Sequence, residues 1–401
     1  MATGAPGRNG PLLGAGSVLR LIRDGEAVTR AAIARRTGLA RSTVAQRVDA
    51  LLAHDLVYEA GGEASTGGRP ATVLAFNHRA GVVLVADLGA THSRLAISDL
   101  RGRPLAEVAF DMDIADGPER VLDNICERFA ALLAEAGRST AEVRGIGVGV
   151  PGPVDFPAGR PVNPPIMPGW DAFSIPEWFA GRYEAPVLVD NDVNIMALGE
   201  HWSYWRELDH LLYVKVGTGI GSGIVSGRTI HRGADGAAGD IGHVRVSGHD
   251  DAVCRCGNLG CLEAVAGGRA LAMALSAAGI EAAGSREVVE LVRAGRPEAI
   301  LMVREAGRVL GDVLAGCVNF FNPGAIVVGG DIAEAQDHLL AGIREVVFQR
   351  SLPLATRDLT IANSRLGDRA GVVGAAIMVI DHVLAPEAVD RAVQGQATAV
   401  A

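Results

Sequence analysis

Lysine is almost absent from this chain. Position 215 is the one lysine among 37 basic residues in 401, the rest being arginine. We read that bias as the codon preference of a GC-rich genome, with no chemistry attached. Cysteine is scarce and odd in number, five in all. Together with the lack of a secretory leader, this excludes a disulfide framework and points to a reducing, cytoplasmic interior. Long apolar runs are missing as well. The longest uncharged stretch, Val313 to Gly330, is interrupted by Asn319 and by Asn322-Pro323-Gly324. It reads as a helix end, a turn and a strand, so no membrane span is expected.

What is present is apolar enough, at 49%, for two or three domains with a sizeable core. The net charge of -9 argues against a general polyanion binder, but the charge is uneven along the chain. Residues 1–80 carry ten arginines against six acidic groups, giving +4, and the remainder carries 27 basic against 40 acidic groups, giving -13. A small basic end on an acidic body is the pattern of an appended nucleic-acid module.

The pattern from Gly16 to Phe76 predicts three helices and a hairpin. Val18, Leu21 and Ile22 share a face of the first helix. Thr29 can cap the second, and Thr37-Gly38-Leu39 makes a tight turn in which Gly is free to take positive φ. A third helix from about Arg41 to Leu52 turns Val44, Val48, Leu51 and Leu52 inward. Its outer stripe, Arg41, Ser42, Thr43, Gln46 and Arg47, can reach phosphates and base edges in a major groove, Arg suiting guanine and Gln adenine. Ala40 stands where a Ser or Thr cap would be preferred. Leu56-Val57-Tyr58 and Thr72-Val73-Leu74 read as a wing whose loop holds Arg69, a candidate for the minor groove. The plainer alternative is a small helical packing domain.

A buried strand from Gly81 ends at Asp87, followed by Leu88-Gly89-Ala90-Thr91 and a second strand from Arg94 to Ser98. Leu211 to Gly223 repeats the design: an apolar strand, then Gly217-Thr218-Gly219-Ile220-Gly221, whose amides and hydroxyl can face phosphate oxygens. A third turn, Gly329-Gly330, would suit an adenosine-side wall. Neither hairpin is a Walker A loop or a dinucleotide fingerprint, and each alone could simply turn the chain. Their repetition suggests a duplicated α/β body. Between them, Pro186 to Asn194 delivers Asn191 and Asp192 at the polar end of a short strand. Asp192 could take a sugar hydroxyl proton while Asn191 fixes that hydroxyl, or the pair could merely cap the helix that follows.

His243, Cys254, Cys256 and Cys261 have metal-ligand spacing. Three thiolates and an imidazole close a tetrahedral zinc shell without an open position, so the metal is expected to be structural and a zinc hydrolase is disfavoured.

Taken in order, Asp87-Leu88-Gly89-Ala90-Thr91, Gly147 to Asp155, Asn191-Asp192, Gly217 to Gly221 and the zinc signature closely resemble the ROK family, over residues 81 to 385. The leading winged helix-turn-helix resembles its transcription-regulator branch, which includes xylose and N-acetylglucosamine repressors. The resemblance implies a two-lobed actin-like sugar-kinase fold with sugar between the lobes and zinc ordering a loop beside it. It also implies that Asn191, Asp192, His243 and Glu263 contact sugar hydroxyls, with Asp192 the base in a kinase member. One ring nitrogen of His243 would hold zinc while the other faces the sugar. Two departures stand out: Ala90 replaces a glycine of the first turn, and Asp240 stands where the family commonly has Glu.

The expected organisation is a flexible lead-in at 1–15, a winged helix-turn-helix at 16–78, an N-terminal lobe at 79–200, a zinc-bearing C-terminal lobe at 201–385 and a tail at 386–401. The expected function is a sugar-responsive repressor that binds double-stranded operator DNA as a homodimer or dimer of dimers. The alternative is a sugar kinase using ATP and magnesium at Asp87, Gly89, Thr91, Gly217, Thr218, Gly219, Gly221, Gly329 and Gly330.

Overall fold

The computed structural model describes residues 14–62, 72–335 and 337–397. Three helices, α1 (Ala15–Arg23), α2 (Arg30–Thr37) and α3 (Arg41–Ala53), precede an antiparallel hairpin of β1 (Val57–Gly62) and β2 (Thr72–Phe76). The Thr29 side chain accepts from the Ala32 amide, and Gly38 takes φ 73° at the end of α2, as the turn chemistry requires. Val44, Val48 and Leu51 of α3 are fully buried against Val18 and Ile22 of α1. Arg69, the expected wing residue, lies outside the described residues.

The body follows as two sheets of one design. The first lobe holds β3 (Val82–Leu88), β4 (His92–Asp99), β5 (Pro104–Asp111), α4 (Pro118–Glu135), β6 (Val143–Val150), the small hairpin β7 (Val154–Asp155) with β8 (Arg160–Pro161), α5 (Ile175–Ala180), β9 (Val187–Asn191) and α6 (Asp192–Tyr204). Its sheet order is β5-β4-β3-β6-β9, with the two hairpin pairings antiparallel and the last two parallel. The second lobe repeats this with β10 (His210–Val216), β11 (Ile220–Ser226), β12 (Thr229–Ile230), β13 (Ala325–Gly329) and β14 (Thr360–Asn363), ordered β12-β11-β10-β13-β14. Its helices are α7 (Leu262–Ala266), α8 (Gly268–Ala277), α9 (Ser285–Arg293), the long α10 (Pro297–Phe321), α11 (His338–Arg350) and α12 (Pro353–Thr356), and the chain closes with α13 (Ala370–Val383) and α14 (Pro386–Ala397). The duplicated, two-lobed α/β architecture expected from the repeated strand-turn-strand units is therefore present. Strands such as β3, buried at every position, carry no polar alternation because helices cover both faces.

Three boundaries differ from the sequence expectation. Ala15, expected in a flexible lead-in, is buried and opens α1. Helix α13, expected in the second lobe, returns to the first and packs Ala375 and Val379 against the glycines of β6. It crosses α6 closely enough that a Cβ on Gly374 would overlap the Ile195 carbonyl oxygen. The third change concerns residues 386–401, expected as a tail. Residues 386–397 form α14 and bury Val389 in the same cluster as Val18 and Leu19 of α1.

Helix α14 also caps the first helix of the N-terminal three-helix domain. Gly14, at the start of α1, has no capping side chain, and the Gly16 amide donates to Asp390 Oδ1 at 2.9 Å. Asp390→Ala is expected to cost about 1 kcal/mol, seen as a lower denaturant midpoint for the transition that includes α1. An unchanged midpoint would mean that water replaces this cap without loss.

Candidate functional site

A cleft of about 1010 Å³ separates the lobes. The carboxyl ends of the parallel strands deliver its chemistry, as expected for open α/β sheets. From the first lobe come Asp87, Gly89 and Ala90 after β3, Gly152 after β6, and Asn191 and Asp192 after β9. From the second come Lys215, Gly217, Thr218, Gly219 and Gly221, then Asp240, His243 and Glu263, and finally Gly329, Gly330 and Asp331. Of the proposed sugar and nucleotide contacts, only Thr91 fails to line the cleft. It is exposed on the β3–β4 turn, where Ala90 and His92 take the inward positions. Gly89 is needed there: its amide donates to the His92 carbonyl at 2.9 Å, and a Cβ would meet that oxygen at 2.7 Å.

Asn191 serves the backbone as well as the cleft. Its Oδ1 accepts from the Val193 amide at 2.9 Å, capping α6, and its Nδ2 donates to the Gly152 carbonyl at 3.0 Å. The helix-cap alternative is thus realised by Asn191, which leaves Asp192 to face a different partner. Asp192 Oδ2 accepts from Lys215 Nζ at 2.5 Å, and Oδ1 accepts from the Val193 amide at 2.9 Å. The lone lysine, read from sequence as codon preference, is a cleft residue paired with the candidate base, and that reading is corrected. Burial pulls the Lys215 ammonium down, but Asp192 and Asp87 outweigh it and hold it above its ordinary value.

Asp87 is buried with Oδ1 unpartnered. Desolvation pushes its carboxyl up to about 7, with Lys215 pulling the other way. Asp190, which sequence reasoning passed over, ties the lobes together. Arg232 donates to its Oδ2 from Nε at 2.9 Å and Nη2 at 2.6 Å, and Asn194 donates to Oδ1 at 2.8 Å. The Arg232 guanidinium also stacks on Phe156, 3.7 Å from the ring centroid. The run Asp190-Asn191-Asp192 was the available signal, but nothing local told which carboxylate faced which partner.

His243, Cys254, Cys256 and Cys261 converge with all four donor atoms within 4.8 Å of one another. Cys254 Sγ lies 3.7 Å from His243 Nδ1, and Cys256 Sγ lies 3.7 Å from Cys261 Sγ. A tetrahedron with metal–sulfur bonds of about 2.3 Å has edges of about 3.8 Å, so the four residues fit a zinc ion. Burial raises the Cys254 and Cys261 thiols, so three thiolates would need a cation to compensate them. His243 Nε2, on the other ring edge, is 4.0 Å from Asp240 Oδ2. Burial also pushes the Asp240 carboxyl up, against the pull of His243. Glu263 joins the cluster to the glycine turn: Oε1 is 3.2 Å from Cys254 Sγ, and Oε2 lies 2.6 Å from where a Cβ on Gly219 would stand.

On the reader domain, Arg41, Ser42 and Gln46 are exposed on α3, while Thr43 and Arg47 are half-buried. Ala40, the residue before α3, gives the helix no side-chain cap, which leaves its first amides without a side-chain acceptor there. Arg30 is held by Asp49 and Glu59, each at 3.0 Å. Among the described residues, no single helix is long and apolar enough to cross a membrane.

A helix-turn-helix reader joined to a duplicated two-lobed α/β body, with one histidine and three cysteines clustered beside its cleft, defines the class. The chain belongs to the ROK family, which matches residues 83–382, and residues 15–61 match the IclR helix-turn-helix domain. A xylose repressor of Caldicellulosiruptor bescii is 30% identical over 381 residues, covering 92% of this chain and 95% of that protein. A solved ROK family transcriptional regulator, described as a homolog of the E. coli MLC protein, superposes with a TM-score of 0.79 at 28% identity over 94% of this chain and 98% of that one. A ROK family glucokinase from Streptomyces griseus, solved with glucose and AMPPNP, superposes at 0.63 with 28% identity over 74% of this chain and 99% of that one.

Proposed function

We propose that this protein is a sugar-responsive transcriptional repressor that binds double-stranded operator DNA as a homodimer or a dimer of dimers. The observation that carries the reading is a reader helix with an exposed polar stripe, built into the same buried cluster as α13 and α14, on a body whose cleft gathers Asn191, Asp192, Asp240, His243 and Glu263. Those side chains offer acceptors and an imidazole suited to neutral hydroxyls. Arg41, Ser42, Thr43, Gln46 and Arg47 are the proposed DNA contacts.

Zinc, where bound by His243 and the three cysteines, supplies a structural brace. With Nδ1 engaged there, His243 would keep Nε2 toward the cleft, and Glu263, 3.2 Å from Cys254 Sγ, would be kept beside Gly219. Sugar bound between the lobes favours one lobe arrangement. Arg286 and Asp111, from opposite lobes and 3.4 Å apart, mark how near the two sides already stand. Helix α13 contacts β3 and β6 of the first lobe and crosses α6, which packs on β10 and β11 of the second, and α14 carries on to α1. A lobe movement therefore changes how two reader domains are spaced, and operator affinity shifts by the differential binding of sugar to the two states.

The test is selection of DNA sites by the purified protein, followed by titration with xylose, glucose and N-acetylglucosamine at fixed salt. The expected result is an enriched pseudo-palindrome whose affinity changes at least about tenfold with one sugar, within the usual range of coupling between sites. Failure to enrich any sequence, or indifference of the selected site to all three sugars, would defeat the reading. The kinase alternative draws on the Gly217–Gly221 turn; Ala90 and the Lys215 pairing stand against it.

A further inference from the structure

Every charged partner that holds up the Lys215 ammonium is acidic. Asp192 bonds it directly at 2.5 Å, and the carboxylates of Asp87 and Asp331 act on it as well. All four residues line the cleft next to the Gly217–Gly221 turn. Asp87 has an oxygen with no hydrogen-bond partner, and its residue is only 7% exposed. Strand pairing sets Lys215 opposite Gly329, two residues before Asp331, and Asp87 opposite Gly149, where a Cβ would stand 3.5 Å from the Asp192 Cα. Three carboxylates and one ammonium thus share this corner of the cleft, the setting in which a divalent cation is ordinarily held by oxygen ligands. Here the positive charge is part of the polypeptide.

We propose that Lys215 is the resident cation of this cleft: it takes the place among Asp87, Asp192 and Asp331 that a divalent ion would fill, and so makes the cleft one that binds ligand without magnesium and without phosphoryl transfer. The inference deepens the sugar-site reading above and concerns the same cleft. Sugar phosphorylation requires a hydroxyl oxygen to bond to the γ-phosphorus while the bond to the ADP oxygen breaks, the hydroxyl proton passing to a carboxylate. A divalent ion neutralises the phosphates during that transfer. In this cleft the ion would meet an ammonium of like charge. The carboxylate best placed to receive the proton, Asp192, already accepts from Lys215 on one oxygen and from the Val193 amide on the other. Asp192 remains able to accept a further hydrogen bond from a sugar hydroxyl, so binding survives where transfer does not. Lys215 is in this sense a positioning residue that sets specificity for binding over turnover.

The opposite role for a lysine beside a glycine turn is to hold a nucleotide phosphate, and one experiment separates the two. Zinc-replete protein is titrated with Mn2+, followed by electron paramagnetic resonance, and separately with magnesium ATP, followed by calorimetry. Wild type is expected to take up neither in the cleft. Lys215→Ala is expected to gain one Mn2+ site per chain, at least about 100-fold tighter than any wild-type site, as oxygen ligands without an internal cation would provide. Adding Asp87→Asn to that variant is expected to remove the site. Should Lys215→Ala not fold, Lys215→Gln, neutral and able to keep a hydrogen bond to Asp192, carries the same comparison. Wild type that binds Mn2+ or magnesium ATP as tightly as the variants overturns the proposal, as does a variant that gains no Mn2+ site. None of these readouts involves sugar or DNA, so a failure here is distinct from a failure of the repressor reading.

Discussion

Cys261→Ser is expected to bring the zinc content of the purified protein from one ion per chain to nearly none, and to weaken sugar binding by about 10- to 100-fold. Cys261 is 1% exposed and directly precedes α7, which begins at Leu262 and carries Glu263. Its sulfur and that of Cys256 form one edge of the four-donor cluster, and His243 and Cys254 form the opposite edge. Three good ligands that must also fold a loop around the ion lose most of their affinity, because binding energy at such sites is also folding energy. Without the ion, His243 Nδ1 is left with the long 3.7 Å contact to Cys254 Sγ, a weak restraint that lets the ring turn Nε2 away from the cleft. Elemental analysis and calorimetric titration with the sugar found by screening give the two numbers. Full metal retention together with unchanged affinity would show that Cys261 is not a zinc ligand and that the cluster does not support the cleft.

The second large effect is a gain. Asp87 has an ordinary carboxyl value of 3.8, and burial lifts it to about 7 in the folded protein. A folded value above the unfolded one means that the native state holds the proton more tightly. The stability this group contributes is therefore complete below about pH 4 and is lost as the pH rises through about 7. At pH 8 the protein carries a buried carboxylate with one unpartnered oxygen. The difference from 3.8 corresponds to at most about 4 kcal/mol, trimmed by the attraction of Lys215 that an amide would forgo. Asp87→Asn is expected to raise unfolding free energy at pH 8 by about 2 kcal/mol and to flatten the fall in stability between about pH 6 and 8. Urea unfolding at three pH values measures both. A variant that is less stable than wild type at pH 8, or that keeps the same slope, would show that Asp87 is paired in solution in a way the structure does not contain.

The parts of the molecule that could be read in advance are those whose meaning is local. The four-donor cluster is legible because its three cysteines sit within eight residues and the turn that separates them brings the sulfurs together. The turn at Gly38 and the cap at Thr29 are legible for the same reason. The repeated strand and glycine turn at Asp87 and Gly217 announced duplication, and the two sheets share one strand order. The role of Lys215 is hidden because a lone lysine among arginines is what a biased genome produces by itself. Only the pairing of β10 with its neighbours and the packing of α6 bring Nζ to a carboxylate 23 positions away. The outward position of Thr91 is hidden because a two-residue period does not say which way a hairpin turn faces.

The sequence by itself determined the helix-turn-helix, the grouping of histidine with three cysteines, the two glycine turns and the amide-carboxylate pair at 191 and 192, since each depends on neighbours a few residues apart. Only the tertiary structure decided that α13 rejoins the first lobe, that Asp390 of α14 caps α1, and that Asp192 bonds Lys215 while Asp87 Oδ1 is buried without a hydrogen bond. Burial and charge pairing are properties of what surrounds a group, and those surroundings are assembled from segments that lie tens to hundreds of residues apart.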